Sequence, residues 1–178
     1  MTRASGIGNE CERSLFYSRT VTSEERVPHG PGLQTIFDLG NDMERIVIRE
    51  IELEMNVEVV QRGRDYVDQE LQVSGHVDAL IRAQGWPEAL PVEIKGLNPI
   101  SAERIETLAA IRENKAAWIR KYFSQLQMYL YLMDKPAGLF VLKNKSSGWI
   151  NFIDCPRDDT HIAFLLDRAE RIRDAVIA

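Results

Sequence analysis

Hydrophobic periodicity changes several times along this chain, and the order of the changes limits the folds that it can adopt. A stretch with helical spacing ends near Glu54 and is followed by three runs typical of β-strands. A second helical stretch, residues 101–133, precedes a strand pair and a last amphipathic helix. Strands grouped between helices predict an α/β fold of the α+β type, with a mixed sheet flanked by helices. The strand runs are 57–61, 71–82 with a Ser-Gly break at 74–75, 90–95, 139–143 and 149–153.

The first helical stretch predicts an apolar face that packs on the sheet. Gly40 and Glu44 lie one turn apart and share a face. A glycine in a helix interior costs roughly 1 kcal/mol, so we expect that face to lie close to another backbone. Residues 21–32, before this helix, are rich in proline, glycine and polar residues and predict a loop. The apolar positions are Ile36, Leu39, Met43, Ile46, Val47 and Ile51.

Composition predicts an ordinary globular protein with one domain over residues 1–178. No apolar run approaches the roughly 18 residues that cross a bilayer. The amino terminus has no apolar stretch of the secretory type, so we expect a cytoplasmic protein without a membrane partner. Cys11 and Cys155 lie far apart and do not indicate a disulfide framework.

The net charge of −5 argues at first against a nucleic-acid partner. A site for two divalent cations, however, needs several carboxylates, and the bound metal reverses their local effect. One third of the chain is also locally basic, although scattered solvation explains these charges equally well. The basic residues there are Lys115, Arg120, Lys121, Lys143 and Lys145.

Val92-Glu93-Ile94-Lys95 is the most informative stretch. On a strand, Glu93 and Lys95 point to one face, and the two apolar residues between and before them point to the other. An exposed strand carrying an ion pair is the ordinary explanation of such a pair. Upstream, Asp78 interrupts an apolar strand pattern, where aspartate is disfavoured. If the two strands are neighbours, the carboxylates of Asp78 and Glu93 repel each other unless a cation neutralises them. Oxygen ligands of this kind suit Mg²⁺ or Mn²⁺.

The helix that follows carries Gln125 and Tyr129 four residues apart on one face, and Gln127 and Tyr131 form a similar pair. Core packing by tyrosine with surface glutamine explains either pair alone. Asp78, then Glu93-Ile94-Lys95, then Gln125-x-x-x-Tyr129 together resemble the PD-(D/E)XK nuclease superfamily, in its RecB-like branch. The chain is similar to phage-type exonucleases and to CRISPR-associated adaptation nucleases. The supporting matches are Phe37-x-x-Gly40-x-x-x-Glu44, Cys11-x-Arg13-x-x-x-Tyr17 and Leu139 to Lys145. His76-Val77 stands where the superfamily name has a proline.

The resemblance implies a restriction-endonuclease-like core and metal-dependent hydrolysis of DNA phosphodiester bonds by an exonuclease. Asp78, Glu93 and the backbone carbonyl of Ile94 would hold Mg²⁺ or Mn²⁺, with Glu44 as a further ligand. Lys95 would position or deprotonate the attacking water and stabilise the transition state. Gln125 and Tyr129 would orient the scissile strand or support Lys95. Lys143 and Lys145 would contact the substrate.

Relatives that hold an iron–sulfur cluster use four cysteines. Only Cys11 and Cys155 are present, so we expect no cluster. The residues do not exclude RNA as the polymer. The resemblance also allows a homo-oligomer, or an association with helicase or recombination proteins. The alternative function is a nuclease-like module that binds nucleic acid or a partner without cutting.

Overall fold

The computed structural model describes residues 1–22, 25, 28 and 30–178 of the chain. Part of the predicted loop at 21–32 (positions 23, 24, 26, 27 and 29) lies outside these residues. Its last two positions are helical, because helix α3 already begins at Pro31. Proline suits the first turn of a helix, where its missing N–H has no partner to lose. The helices are α1 (Ala4–Ile7), α2 (Glu12–Thr20), α3 (Pro31–Glu54), α4 (Pro99–Arg104), α5 (Leu108–Arg112), α6 (Ala117–Leu132) and α7 (Asp159–Ile177).

The strands form one mixed sheet, as predicted. β2 pairs antiparallel with the whole of β3, so β1 and β4 share the other edge of β3. β4 runs parallel to β5, and β5 pairs antiparallel with β6. The strands are β1 (Thr2–Arg3), β2 (Val57–Asp68), β3 (Val73–Ala83), β4 (Leu90–Leu97), β5 (Ala137–Asn144) and β6 (Ile150–Pro156).

Helices cover both faces of the sheet. On one face, the carboxyl-terminal half of α3 buries Val47, Ile48 and Ile51 against β3, β4 and β5. On the other face, α1, α6 and α7 pack on residues such as Phe140 and Leu142 of β5. Side chains alternate along a strand, so neighbouring residues of β4 and β5 belong to different layers. This alternation determines which polar side chains can meet.

Two expectations about α3 are wrong. Ile36 and Leu39 are exposed, because only the carboxyl-terminal half of this long helix packs on the sheet. Ile46 lies within that half but is exposed as well, outside the core that Val47, Ile48 and Ile51 join. A 24-residue helix is roughly 36 Å long, longer than the eight-residue strands β4 and β5 that it covers. A Cβ added to Gly40 would meet no atom within 4 Å, so no other backbone lies close to it.

The remaining differences concern boundaries. β2 continues to Asp68, and the Ser-Gly break at 74–75 is part of β3. The stretch 101–133 contains three helices instead of one or two. Cys11 is exposed and Cys155 is buried, and both are free thiols. No helix among the described residues is long and apolar enough to cross a membrane.

Candidate active site

The candidate site lies where β3 and β4 separate. Their pairing ends at Ala79 and Val92, so Asp78 and Glu93 are the first residues beyond it. The N–H of Ile94 has no strand partner on β3 and donates instead to Oδ2 of Asp78, at 2.8 Å. The aspartate side chain thus takes the place of a backbone acceptor. The separation of the strands also opens a cavity that Asp78 lines.

This cavity has a volume of about 580 Å³ and brings together five of the residues that the sequence singles out. They come from four different elements, and they are Glu44, Asp78, Lys95, Gln125 and Tyr129. Several polar residues that the sequence analysis missed share the lining: Arg3, Ser5, Asn41, Asp65 and His76. Arg3 and Ser5 had no detectable signal, because a two-residue strand and a four-residue helix are too short to show a periodicity.

Glu93 lies beneath this lining and is fully buried. Nζ of Lys95 is 2.5 Å from its Oε1, whereas its Oε2 has no hydrogen-bond donor among the described residues. A buried carboxylate oxygen without a donor is costly, since the lost hydration is not replaced. Burial raises the pKa of Glu93 to about 8, with the charges of Asp78 and Glu44 acting in the same direction and Lys95 opposing them.

The two other carboxyl groups show the same tendency. Burial raises the pKa of Asp78, while Lys95 and the N–H of Ile94 act against that rise. Burial and the charge of Asp78 raise the pKa of the half-buried Glu44. Three acidic groups that each resist ionisation favour a bound cation, because a cation stabilises all three charged forms.

Lys95 is held between an acid and an aromatic ring. Burial alone would lower its pKa, but the charges of Glu93 and Asp78 outweigh burial and raise it. Its Nζ lies 5.1 Å from the ring centroid of Tyr122, within cation–π range. Tyr122 was not among the predicted residues. A usable signal exists, since it lies three residues before Gln125 and therefore on the same helix face.

Gln125 and Tyr129 form a hydrogen-bonded chain to the sheet. Nε2 of Gln125 donates to the Tyr129 hydroxyl at 2.7 Å, and that hydroxyl donates to the carbonyl of His76 at 2.6 Å. A Cβ added to Gly75 would lie 2.7 Å from the Tyr129 ring, so glycine is what permits this approach. Tyr129 therefore supports β3 just before Asp78, whereas the aromatic neighbour of Lys95 is Tyr122.

Gln127 belongs to a different environment. Its amide donates to the Pro156 carbonyl at 2.8 Å and accepts from the N–H of Asp158 at 2.8 Å. Tyr131 donates to Asp68 at 2.8 Å. These contacts join α6 to the β6–α7 connection and to the end of β2. Neither residue lines the cavity.

The two predicted substrate lysines also lie apart from the cavity. Nζ of Lys143 is buried and contacts both carboxylate oxygens of Glu50, at 2.7 and 2.6 Å. Lys143 thus has a structural contact with α3, and its contact with the substrate stays a prediction. Lys145 is exposed, and its side chain lies over Gly96.

A divalent cation fits the chemistry of the site, although no ready coordination shell exists. Among the described residues, no three His, Cys, Asp or Glu side chains are gathered closely enough to hold a metal ion. The unpartnered oxygen of Glu93 and the raised pKa values of Asp78 and Glu44 nevertheless mark an oxygen-rich place that lacks positive charge. Hard cations prefer such ligands. Binding there would require Lys95 to move away from Oε1 of Glu93.

Comparison with solved structures assigns this fold to a class: the chain shares the fold of an alkaline exonuclease and of a phage-related exonuclease, as we expected from the resemblance. An alkaline exonuclease from Laribacter hongkongensis, LHK-Exo, matches 98% of this chain and 86% of its own, with a TM-score of 0.67 and 15% identity. The complex of LHK-Exo with dAMP matches 98% of this chain and 87% of its own, with a TM-score of 0.68 and 15% identity. A phage-related exonuclease from Haemophilus somnus 129PT matches 99% of this chain and 94% of its own, with a TM-score of 0.60 and 15% identity. No protein-family model and no curated protein matches the chain.

Proposed function

We propose that this chain is a metal-dependent deoxyribonuclease that hydrolyses DNA phosphodiester bonds from an end. One observation carries the proposal: Glu93 is fully buried, with one carboxylate oxygen unpartnered, beneath a cavity that Asp78 and Lys95 line. A purely structural carboxylate would be stabilised by neutralising partners on both oxygens. The exonuclease fold is consistent with this function.

Asp78, Glu93 and Glu44 would hold Mg²⁺ or Mn²⁺, with the Ile94 carbonyl as a further ligand. When bound, the metal would supply Lewis-acid stabilisation of the phosphate and a more acidic water. Asp78 is already oriented for this role by the Ile94 N–H. The charge that Glu93 presents is available for a cation once Lys95 moves from Oε1.

Lys95 would act as an ammonium ion. Its raised pKa keeps it protonated, which favours stabilisation of negative charge on the phosphate over removal of a proton from water. The face of Tyr122 limits the directions that its Nζ can take. Gln125 lies in the cavity wall and would orient the scissile strand, while Tyr129 would keep β3 and Asp78 in position.

DNA is proposed as the polymer because the phage-related and alkaline exonucleases share the fold, and LHK-Exo has been solved with the deoxynucleotide dAMP. A cavity of about 580 Å³ has the size of a small-ligand site, so it would admit a nucleotide. That the whole chain acts as one nuclease domain, in the cytoplasm, remains a prediction. An association with further copies of this chain, with a helicase or with recombination proteins also remains a prediction.

The test uses purified protein with end-labelled linear DNA and circular DNA of the same sequence, with and without Mn²⁺. We expect loss of the linear DNA only, only with Mn²⁺, and not with Glu93→Gln. Cutting of circular DNA would indicate an endonuclease. Retention of either DNA on the protein without any cutting would support the alternative, a binding module on a nuclease fold.

A further inference from the structure

A stripe of side chains along α6 leads from the protein surface to the candidate site. Trp118, Tyr122, Gln125 and Tyr129 are spaced by four, three and four residues and therefore lie on one helix face. Their exposure falls along the stripe: Trp118 is 46% exposed, Tyr122 is half-buried, Gln125 is 7% exposed and Tyr129 is 2% exposed. The sequence of exposures describes a path into the site.

Ring contacts connect the exposed end to the reacting end. The rings of Trp118 and Tyr122 meet edge to face, with centroids 5.8 Å apart. Nζ of Lys95 then lies 5.1 Å from the Tyr122 centroid. Because Tyr122 already packs against Lys95, it fixes the Trp118 indole next to the site. Exposure alone does not distinguish Trp118, since Trp149 is more exposed, but the contact of Trp118 with Tyr122 connects it to Lys95.

The surroundings of Trp118 suit a phosphate backbone. Lys115 and Lys121 lie three residues before and three residues after it, and neither forms an ion pair with any described residue. Arg120, by contrast, is paired with Glu10. Aromatic rings flanked by unpaired cations are typical of proteins that bind single-stranded nucleic acid, where bases stack on the rings and phosphates meet the cations.

We propose that Trp118, supported by Tyr122, is a stacking platform for an unpaired base of a single DNA strand close to the scissile phosphate. The inference rests on the proposed nuclease function and names the form of its substrate. The two contacts, of 5.8 and 5.1 Å, keep Trp118 within a few nucleotides of Lys95 along a bound strand. The platform therefore contacts the strand near its end and leaves Lys95 to contact the phosphate.

Binding in EDTA tests the platform without any cleavage. The probes are a fluorescein-labelled dT 12-mer and an abasic 12-mer that has the same phosphates but no bases. We expect Trp118→Leu to weaken dT binding about tenfold and to leave abasic binding unchanged, since stacking on one aromatic ring is lost. Trp118→Phe keeps a ring and should lose less than threefold. The matched control is Trp149→Leu, which removes a 75% exposed tryptophan on the β5–β6 turn and should change neither probe.

Two results would overturn the inference. One is equal dT binding by wild type and Trp118→Leu. The other is an equal loss on both probes, which would mean a structural or electrostatic role. Cleavage of the abasic 12-mer by wild type with Mn²⁺ separates this outcome from the proposed function, because that strand keeps its phosphodiester bonds and has no base to stack. Absence of any cleavage by wild type would refute the nuclease, while the binding ratios would still report on the platform.

Discussion

Two lysine–glutamate pairs, each with one buried member, involve lysines on adjacent strands of the sheet and on opposite faces of it. Lys143 of β5 contacts both oxygens of Glu50 on α3. Lys95 of β4 contacts only Oε1 of Glu93, and Oε2 remains without a donor. The first pair borders the core that α3 covers, whereas Lys95 also lines the cavity.

The difference shows how to separate a structural ion pair from a functional one. Removing two charges from water is costly, and a buried pair is tolerated when its polar atoms are mutually satisfied. The Lys143–Glu50 pair meets this condition. The Lys95–Glu93 pair does not, and it stands next to two further carboxyl groups whose pKa values are raised. An unsatisfied pair beside a cavity is therefore the better candidate for chemistry.

Glu93→Gln should have the largest effect on function. It removes the central charge of the candidate metal site while preserving the size of the side chain. We expect the rate of DNA cleavage with Mn²⁺ to fall by about 10³-fold or more, since metal-ion stabilisation contributes several kcal/mol. A gel assay with end-labelled linear DNA measures this. Glu50→Gln, in the other pair, is the matched control and should keep the wild-type rate. Loss of activity in both variants would show that an unpartnered oxygen does not distinguish a functional ion pair from a structural one.

Glu44→Gln should have the next largest effect. Its charge would be lost from the edge of the site, and we expect weaker Mn²⁺ binding and cleavage that is slower by about tenfold to a hundredfold. The melting temperature without metal should not change, because Glu44 is only half-buried. Asp42→Asn on the same helix removes an exposed acid that pairs with Arg45, and it should leave the rate unchanged. A wild-type rate in Glu44→Gln would make Glu44 an ordinary surface residue.

Lys143→Met should lower the free energy of unfolding without changing the rate of DNA cleavage. It leaves Glu50 without its partner, and Glu50 is about one third exposed, so water replaces part of the lost contact. We expect the free energy of unfolding to fall by about 1–3 kcal/mol, less than for a fully buried pair. Urea denaturation measures the change. The rate per folded molecule should stay within about twofold of wild type, since Lys143 does not line the cavity. A large loss of rate would restore its predicted role in substrate binding.

The last expected effect concerns the metal-free protein alone, whose stability should depend on pH. The pKa of Glu93 is about 8 in the folded chain, above its ordinary value of 4.5. The folded state thus binds a proton that the unfolded state has released, and stability falls as pH rises from 4.5 to 8. Urea denaturation in EDTA at pH 5 and pH 8 should show a smaller decrease for Glu93→Gln than for wild type. Equal decreases would mean that Glu93 ionises normally.

Patterns within a single strand or helix predicted which side chains share a face of that element. Strand alternation placed Glu93 and Lys95 on one face, and helical spacing placed Gln125 and Tyr129 on one face. The mixed sheet with its flanking helices followed from the order of the periodic segments and is confirmed. The roles of the site residues remain predictions, although the structure places five of them around one cavity.

Contacts between distant segments could not be predicted in this way. Lys143 and Glu50 are separated by 93 positions, and nothing near Lys143 in sequence indicates that it is already paired. The exposed half of α3 has the same spacing as its buried half, because periodicity identifies a face without identifying what covers it. The Ser-Gly pair at 74–75 was predicted to break the strand for the same reason. Gly75 is needed for the approach of Tyr129, and that contact comes from another element.

Calorimetric titration of Mn²⁺ tests the central claim most directly, since it measures the metal site itself. Wild type should bind Mn²⁺ with a measurable heat, and Glu93→Gln should not bind it at the same concentrations. Lys95→Met should bind it at least as tightly as wild type, because the ammonium that competes for Oε1 of Glu93 is gone. Wild-type affinity in Glu93→Gln would contradict the account, since the unsatisfied carboxylate would then have no part in holding a metal.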